Sequence, residues 1–224
     1  MHEKLMNIRE DASLLKSRKD MVWYLLLQSA ATQGNSKGWD HLRRDSTTLK
    51  SVSYDSLKLI PPRKRCAQIL AALKRAKVRM QSLKAPRLAR NVTLITKLGG
   101  AAAAKRAMFA QPSRETKLNF IRAFDGIGQK YGRNIWMDIK DHDFENSVAV
   151  DVRLKNIAFA LEFSGKSYSE IETFFCDIAG EASLTPWEVD RLLYNFTDYF
   201  LSSISGSNSI SAVAPHHVKN KVCC

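Results

Sequence analysis

A lysine just past a glycine turn, and an aspartate twenty-one residues further on beside an apolar run, are the residues best placed to do chemistry in this chain. The first lies in Phe124-Asp125-Gly126-Ile127-Gly128-Gln129-Lys130-Tyr131-Gly132, the second in Val148-Ala149-Val150-Asp151-Val152-Arg153. Glycines let backbone N–H groups approach an anion closely, and a helix beginning at about Gln129 points its positive end at that anion. Gly126, Ile127 and Gly128 therefore read as a turn that grips phosphate. An amine attacks carbon only when neutral, so Lys130 needs desolvation, a neighbouring cation such as Arg133, or a base such as Asp151 to release it. These are the parts of covalent amine chemistry on a sugar carbon. Asp151 also reads as the N-cap of a helix starting at Val152, and amide hydrogen bonds would keep its carboxylate ionised and aimed.

The elements that must position these residues are helical. Apolar spacing at three and four residues dominates, and the short Val148-Ala149-Val150 run is the main strand-like pattern, so the expected fold class is all-α. An apolar helix spans Met21 to Thr32, and Pro61-Pro62 opens a basic helix. Helices are also expected from about Arg87 and from Ala101, separated by Gly99-Gly100, and Ser113 is placed to cap the helix that leads into the turn. Tyr131, Ile135 and Ile139 form an apolar row, with Lys130 on another face. Ser167 to Glu170 and Thr185 to Glu188 have the spacing of capping boxes. The last helix is expected to end near Ser202, and residues 204–224 to form a flexible tail.

Charge points to the partner. The chain has 224 residues and a formal charge of +13, but residues 1–140 carry 29 Lys and Arg against 10 Asp and Glu, whereas residues 141–204 carry 4 against 12. A basic region that includes a phosphate-gripping turn reads as a nucleic-acid surface, with Lys64 and Arg65 of the basic helix as further phosphate contacts. The four cysteines have neither zinc nor iron–sulfur spacing, and the histidines have no ligand spacing, so no metal site is expected. Reduced thiols, a charged N-terminus and no apolar stretch of about 18 residues point to a cytoplasmic protein without membrane contact.

Asp125-Gly126-Ile127-Gly128-Gln129-Lys130 with Val150-Asp151 resembles the helix-hairpin-helix DNA glycosylase superfamily. That family has a Leu-Pro-Gly-Val/Ile-Gly-x-Lys turn followed by a Val-Asp pair at this separation. The chain departs from the pattern at Asp125, where the family usually has Pro, and at Tyr131-Gly132, where Thr-Ala or Val-Ala is common. Without clustered cysteines it is similar to the lysine-containing branch that lacks an iron–sulfur cluster.

The resemblance implies a two-lobed helical fold, with residues 21–140 as a central lobe and residues 1–20 plus 141–203 as the second. It implies a base-excision repair enzyme, expected to be a monomer on double-stranded DNA and associated with the nucleoid, that flips out a damaged or modified base and cleaves its glycosidic bond. Lys130 would be the nucleophile and Asp151 the stabilising carboxylate, with lyase activity through an imine. An oxidised purine is the preferred substrate; alkylated or phage-modified bases are alternatives, and the competing class is a non-catalytic helix-hairpin-helix module. No cofactor is required, although the family implies a monovalent cation at the hairpin carbonyls. Trp136, Phe144, Trp187 and Tyr194 are candidates for a base pocket, against the ordinary reading of spaced aromatics as core. The segment Leu27 to Asn35 resembles the family's Ser-Ala-Gln-Ala-Thr helix end, but Ala30 takes the place of the glutamine that fills the vacated stack. Gln28, Gln33 and Asn35 are the candidates to replace it.

Overall fold

The computed structural model describes residue 6, residues 14–34 and residues 36–210, the side chains of 206–210 excepted. Asn35 and residues 211–224 lie outside the described residues. Among those described there is no strand: the chain is all-α, and Val148 to Val150 form neither strand nor helix.

Two compact units divide the chain between Ala149 and Val150. In the first, helix α1 (Met21–Thr32) is apolar on nearly every side, and Met21, Val22, Trp23, Leu25, Leu26 and Leu27 are all buried. A helix apolar all round belongs inside a core, and α1 packs against the later helices α6 (Gln81–Lys97) and α7 (Ala101–Phe109). Its Trp23 indole donates to the Val52 carbonyl at 2.8 Å. Three short helices follow, α2 (Lys37–Arg44), α3 (Ser46–Ser51) and α4 (Tyr54–Lys58). Asp45 caps α3 by accepting from the Thr48 N–H at 2.9 Å, and Ser53 caps α4 by accepting from the Ser56 N–H at 3.2 Å.

Helix α5 (Pro62–Arg75) packs extensively on α6. The turn between them uses the left-handed residues Lys77 and Met80, so α6 begins at Gln81 rather than near Arg87 as expected. Pro86 lies inside α6, where it forgoes one amide donor without ending the helix. Gly99 and Gly100, at φ +93° and +94°, make the corner into α7. Helix α8 (Arg114–Arg122) starts at a capping box of Ser113 and Thr116, and α9 (Gln129–Asp138) follows the glycine turn. A 3₁₀ turn, His142–Phe144, completes this unit.

The second unit comprises α10 (Val152–Ala160), α11 (Tyr168–Glu181), α12 (Pro186–Asn195) and α13 (Thr197–Ile210). Both expected capping boxes are present, Ser167 with Glu170 and Thr185 with Glu188. Hydrogen bonds from Ser167 and from the backbone of Ser167 and Lys166 hold the Glu170 carboxyl below its ordinary range.

Three boundaries differ from expectation. Residues 14–20 of the N-terminal segment belong to the first unit, where Lys105 donates to the carbonyls of Lys16 and Arg18, and Arg18 stacks on Tyr24 at 4.1 Å. Residues 141–149 also pack with the first unit, because Lys117 holds Asp141 and Asp143 there. The polar stretch after Ser202 continues as helix α13 to Ile210 rather than starting a flexible tail. Spaced serines have adequate helix propensity when the preceding turn is already formed.

Candidate functional site

The glycine turn joins α8 to α9. Phe124, buried, anchors its start, and the Ile127 N–H donates to the Phe124 carbonyl at 3.2 Å. Gly126 has φ +89°, a conformation that costs an L side chain about 1–2 kcal/mol. A β-carbon there would also lie 3.5 Å from Arg87 Cδ. Ile127 points inward at the edge of the core. Gly128 is the N-cap of α9, and a β-carbon at this position would meet nothing within 4 Å. The first turn of α9 contains no acidic residue; the carboxylate of the preceding turn, Asp125, is paired with Arg90.

Helix α6 holds this turn from behind. Asn91, 2% exposed, accepts from the Asp125 N–H at 2.8 Å and donates to the Asp125 carbonyl at 3.0 Å. Arg90 pairs with the Asp125 carboxylate. Gln33, at the end of α1, donates from Nε2 to the Gly126 carbonyl at 3.1 Å, and its own carbonyl accepts from Lys84 Nζ at 2.9 Å. Lys84, Arg87, Arg90 and Asn91 recur at three- and four-residue spacing on α6. That spacing was the available signal for a second hairpin-facing row, and sequence reasoning missed it by starting the helix late.

The hairpin carbonyls of Phe124, Asp125 and Gly126 thus accept from Ile127, Asn91 and Gln33. A monovalent cation at this turn would share them with protein donors.

Lys130 is the second residue of α9, half-buried, with its ammonium 5.5 Å from the Tyr131 ring centroid. It lies outside the core while Ile135 of the same helix and Ile139 at its C-cap are buried. Asp151 opens the second unit as the N-cap of α10, accepting from the N–H groups of Arg153 at 2.9 Å and Leu154 at 3.2 Å. The Val150 N–H beside it donates to the Tyr168 hydroxyl at 3.1 Å. Two amide bonds orient the carboxylate.

Several sequence candidates have other work. Arg65 is buried, and its Nε donates to the carbonyls of Leu57 and Ile60 at 3.0 and 2.9 Å. It closes the end of α4 and is not a phosphate contact; its neighbour Lys64 is exposed. Trp136 and Phe144 are core residues, not a base clamp: both are 0% exposed and stack at 5.9 Å, and the Trp136 indole donates to the Lys117 carbonyl at 3.0 Å. Trp187 is buried near the start of α12, and Tyr194 lies 4.4 Å from the Arg153 guanidinium. Gln28 lines a cavity of about 330 Å³ with Arg18, Tyr24, Trp39 and Arg43, none of them a hairpin residue. Gln33 reaches the hairpin as a tether. Ala30, at the position of the family's glutamine, lines a small cleft beside Gly126.

Lys117 lies 2.7 Å from Asp141 and 2.9 Å from Asp143. Burial pushes the Lys117 pKa down, but hydrogen bonds and attraction from the two aspartates outweigh it and leave the value raised. Among the described residues, Asp141, His142 and Asp143 form the one cluster of metal-ligating types. Lys117 supplies its countercharge. No helix among the described residues is long and apolar enough to cross a membrane.

No protein-family model matches this chain, and no curated protein sequence matches it. Solved structures match it in fold. The 8-oxoguanine DNA glycosylase of Methanocaldococcus jannaschii is 15% identical, with a TM-score of 0.62 over 90% of this chain and 87% of that one. The 8-oxoguanine glycosylase/lyase of the same organism, in complex with 15mer DNA containing 8-oxoguanine, is 16% identical, with a TM-score of 0.59 over 84% of this chain and 90% of that one. The shared feature is the helical fold of DNA glycosylases.

Proposed function

We propose that this chain, with the helical fold of DNA glycosylases, is a base-excision repair glycosylase with lyase activity on double-stranded DNA. The observation that carries the reading is the position of Lys130, on the first turn of α9 directly after the Gly126–Gly128 hairpin. A glycine turn can take a backbone phosphate on its amides, and a lysine one turn away then lies near the sugar attached to that phosphate. Lys64, exposed on α5, extends the phosphate contacts. The enzyme acts as a monomer, in the cytoplasm and on the nucleoid.

In this mechanism the neutral Lys130 amine attacks C1′ of the flipped nucleotide. The bond from C1′ to the base breaks, and the base leaves with the bonding electrons and gains a proton. Positive charge develops at C1′ as that bond lengthens, and the Asp151 carboxylate, held in place by the amides of Arg153 and Leu154, stabilises it. Ring opening gives an imine between Lys130 and C1′. Loss of a C2′ proton then expels the 3′ phosphate, cutting the strand, and water releases the amine. The preferred base is an oxidised purine, supported by the shared fold with an enzyme whose bound DNA contains 8-oxoguanine.

Borohydride reduction in the presence of abasic duplex DNA tests the chemistry without knowledge of the base. Wild type is expected to become covalently attached, and Lys130→Gln to remain unattached while keeping its fold and DNA affinity. Equal attachment of the variant would remove Lys130 from the mechanism. Release of 8-oxoguanine from a duplex, compared with release of alkylated purines, tests the base preference.

A further inference from the structure

Lys84 is a buried cation behind the hairpin with no assigned role. It lies near the start of α6, 2% exposed, and no carboxylate among the described residues lies within ion-pair distance. Its ammonium donates to the Gln33 carbonyl at 2.9 Å, and the Gln33 side chain donates to the Gly126 carbonyl at 3.1 Å. Two hydrogen bonds in series therefore connect Lys84 to the phosphate-gripping turn. Lys84, Gln33, Arg87, Asp125 and Gly126 share the lining of one cavity of about 10 Å³, room for about one water.

The charges facing Lys84 come from three sides. Arg79 approaches from the turn before α6, where its guanidinium reaches the Gly34 carbonyl at 3.5 Å, and Arg87 lies on α6 itself. Asp125 lies on the hairpin, but its carboxylate is engaged by Arg90. Helix α1 contributes Leu26, Ala30 and the neutral Gln33 to this cleft. A buried ammonium among arginines is costly unless negative charge arrives. The nearby surface built to receive negative charge is the glycine turn.

We propose that Lys84 is a positioning residue for DNA: it ties the end of α1 to the hairpin, and its buried charge is compensated when a phosphodiester docks on the Gly126–Gly128 turn. This rests on the DNA-binding reading above. Burial, followed by repulsion from Arg79, pulls the Lys84 pKa down to about 8. A docked phosphate favours the ammonium and raises that value. Near pH 8 the free protein holds Lys84 about half protonated, so DNA binding takes up a fraction of a proton, at most about one half. Affinity accordingly falls as pH rises through 8, and levels off above the pKa of the bound state.

Calorimetric titration with a short duplex containing a tetrahydrofuran abasic analogue, in buffers of differing ionisation enthalpy at about pH 8, measures that proton directly. Wild type is expected to show uptake. Lys84→Met, neutral, and Lys84→Arg, charged throughout, are expected to lose it, with Lys84→Arg keeping the higher affinity of the two. Gln33→Leu, which cuts the tether but keeps the charge, is expected to weaken binding and retain uptake. Equal proton uptake and equal pH profiles in wild type and Lys84→Arg, with salt-dependent binding in both, would overturn the role of Lys84 and leave the DNA reading intact. Absence of salt-dependent binding by wild type would overturn both.

Discussion

Asn91 grips the backbone of Asp125 at both ends of its amide, accepting from the N–H at 2.8 Å and donating to the carbonyl at 3.0 Å. A single buried side chain thus satisfies both polar groups of the first residue of the turn. Asn91→Ala removes both bonds and leaves partly buried backbone groups unsatisfied, a loss of about 1–3 kcal/mol. Chemical denaturation is expected to show that loss, and duplex binding a larger relative drop than Lys64→Ala produces. Unchanged stability would mean that the turn holds its shape without α6.

Asp125 places a carboxylate on a turn proposed to receive phosphate, and Arg90 offsets it. Asp125→Asn keeps the backbone grip of Asn91, removes the negative charge and releases the exposed Arg90 guanidinium. Duplex affinity is expected to rise a few-fold at low salt, with a steeper salt dependence by up to about one phosphate contact. A fall in affinity would show that the ion pair is needed to hold the turn.

Asp151 has two separable properties, its cap bonds and its charge. Asp151→Asn retains a good cap and is expected to change stability by a few tenths of a kcal/mol, while Asp151→Ala loses about 1 kcal/mol. Single-turnover base release is expected to fall about 10²-fold or more in both variants. A normal rate in Asp151→Asn would reduce the residue to a cap.

The Lys117 pair sets an acid limit. The hydrogen bond from Lys117 holds the Asp143 pKa below the ordinary carboxylate value of 3.8, so its stabilisation is complete above that value and is lost as pH falls through the lowered one. Lys117 is raised, so its share persists through neutral pH and is lost only in strong alkali. Between about pH 4 and 2, the melting temperature of wild type is expected to fall more steeply than that of Asp143→Asn. Parallel curves would assign the acid transition to other carboxylates.

What could be read in the sequence follows the range of the forces involved. Met21–Thr32, the caps at Ser113, Ser167 and Thr185 and the start of α9 are set by neighbours within a few residues, and each lies where its local pattern indicates. Helices α2 to α4 are too short to show a full apolar period, and they passed unread. Arg65 shows a harder limit. In sequence it is one basic residue among several on a solvent-facing run, and only the carbonyls of Leu57 and Ile60 make it a buried staple. Trp136 and Phe144 likewise carry no local mark separating a core stack from a base clamp. The grip of Asn91 on Asp125 spans 34 residues, and no local pattern could announce it.

The two glycines of the turn answer to different demands. Gly126 is required by backbone angle, whereas Gly128 has φ −94°, which any residue adopts, and empty space where a side chain would stand. The folded chain alone therefore has no objection to alanine or valine at position 128. The folded chain sets no limit on a side chain there, so a limit found on binding belongs to the partner. Stepwise enlargement of residue 128 then acts as a gauge: as long as the folded state stays intact, the substituent size at which binding fails measures how closely the partner's surface comes to rest on this backbone.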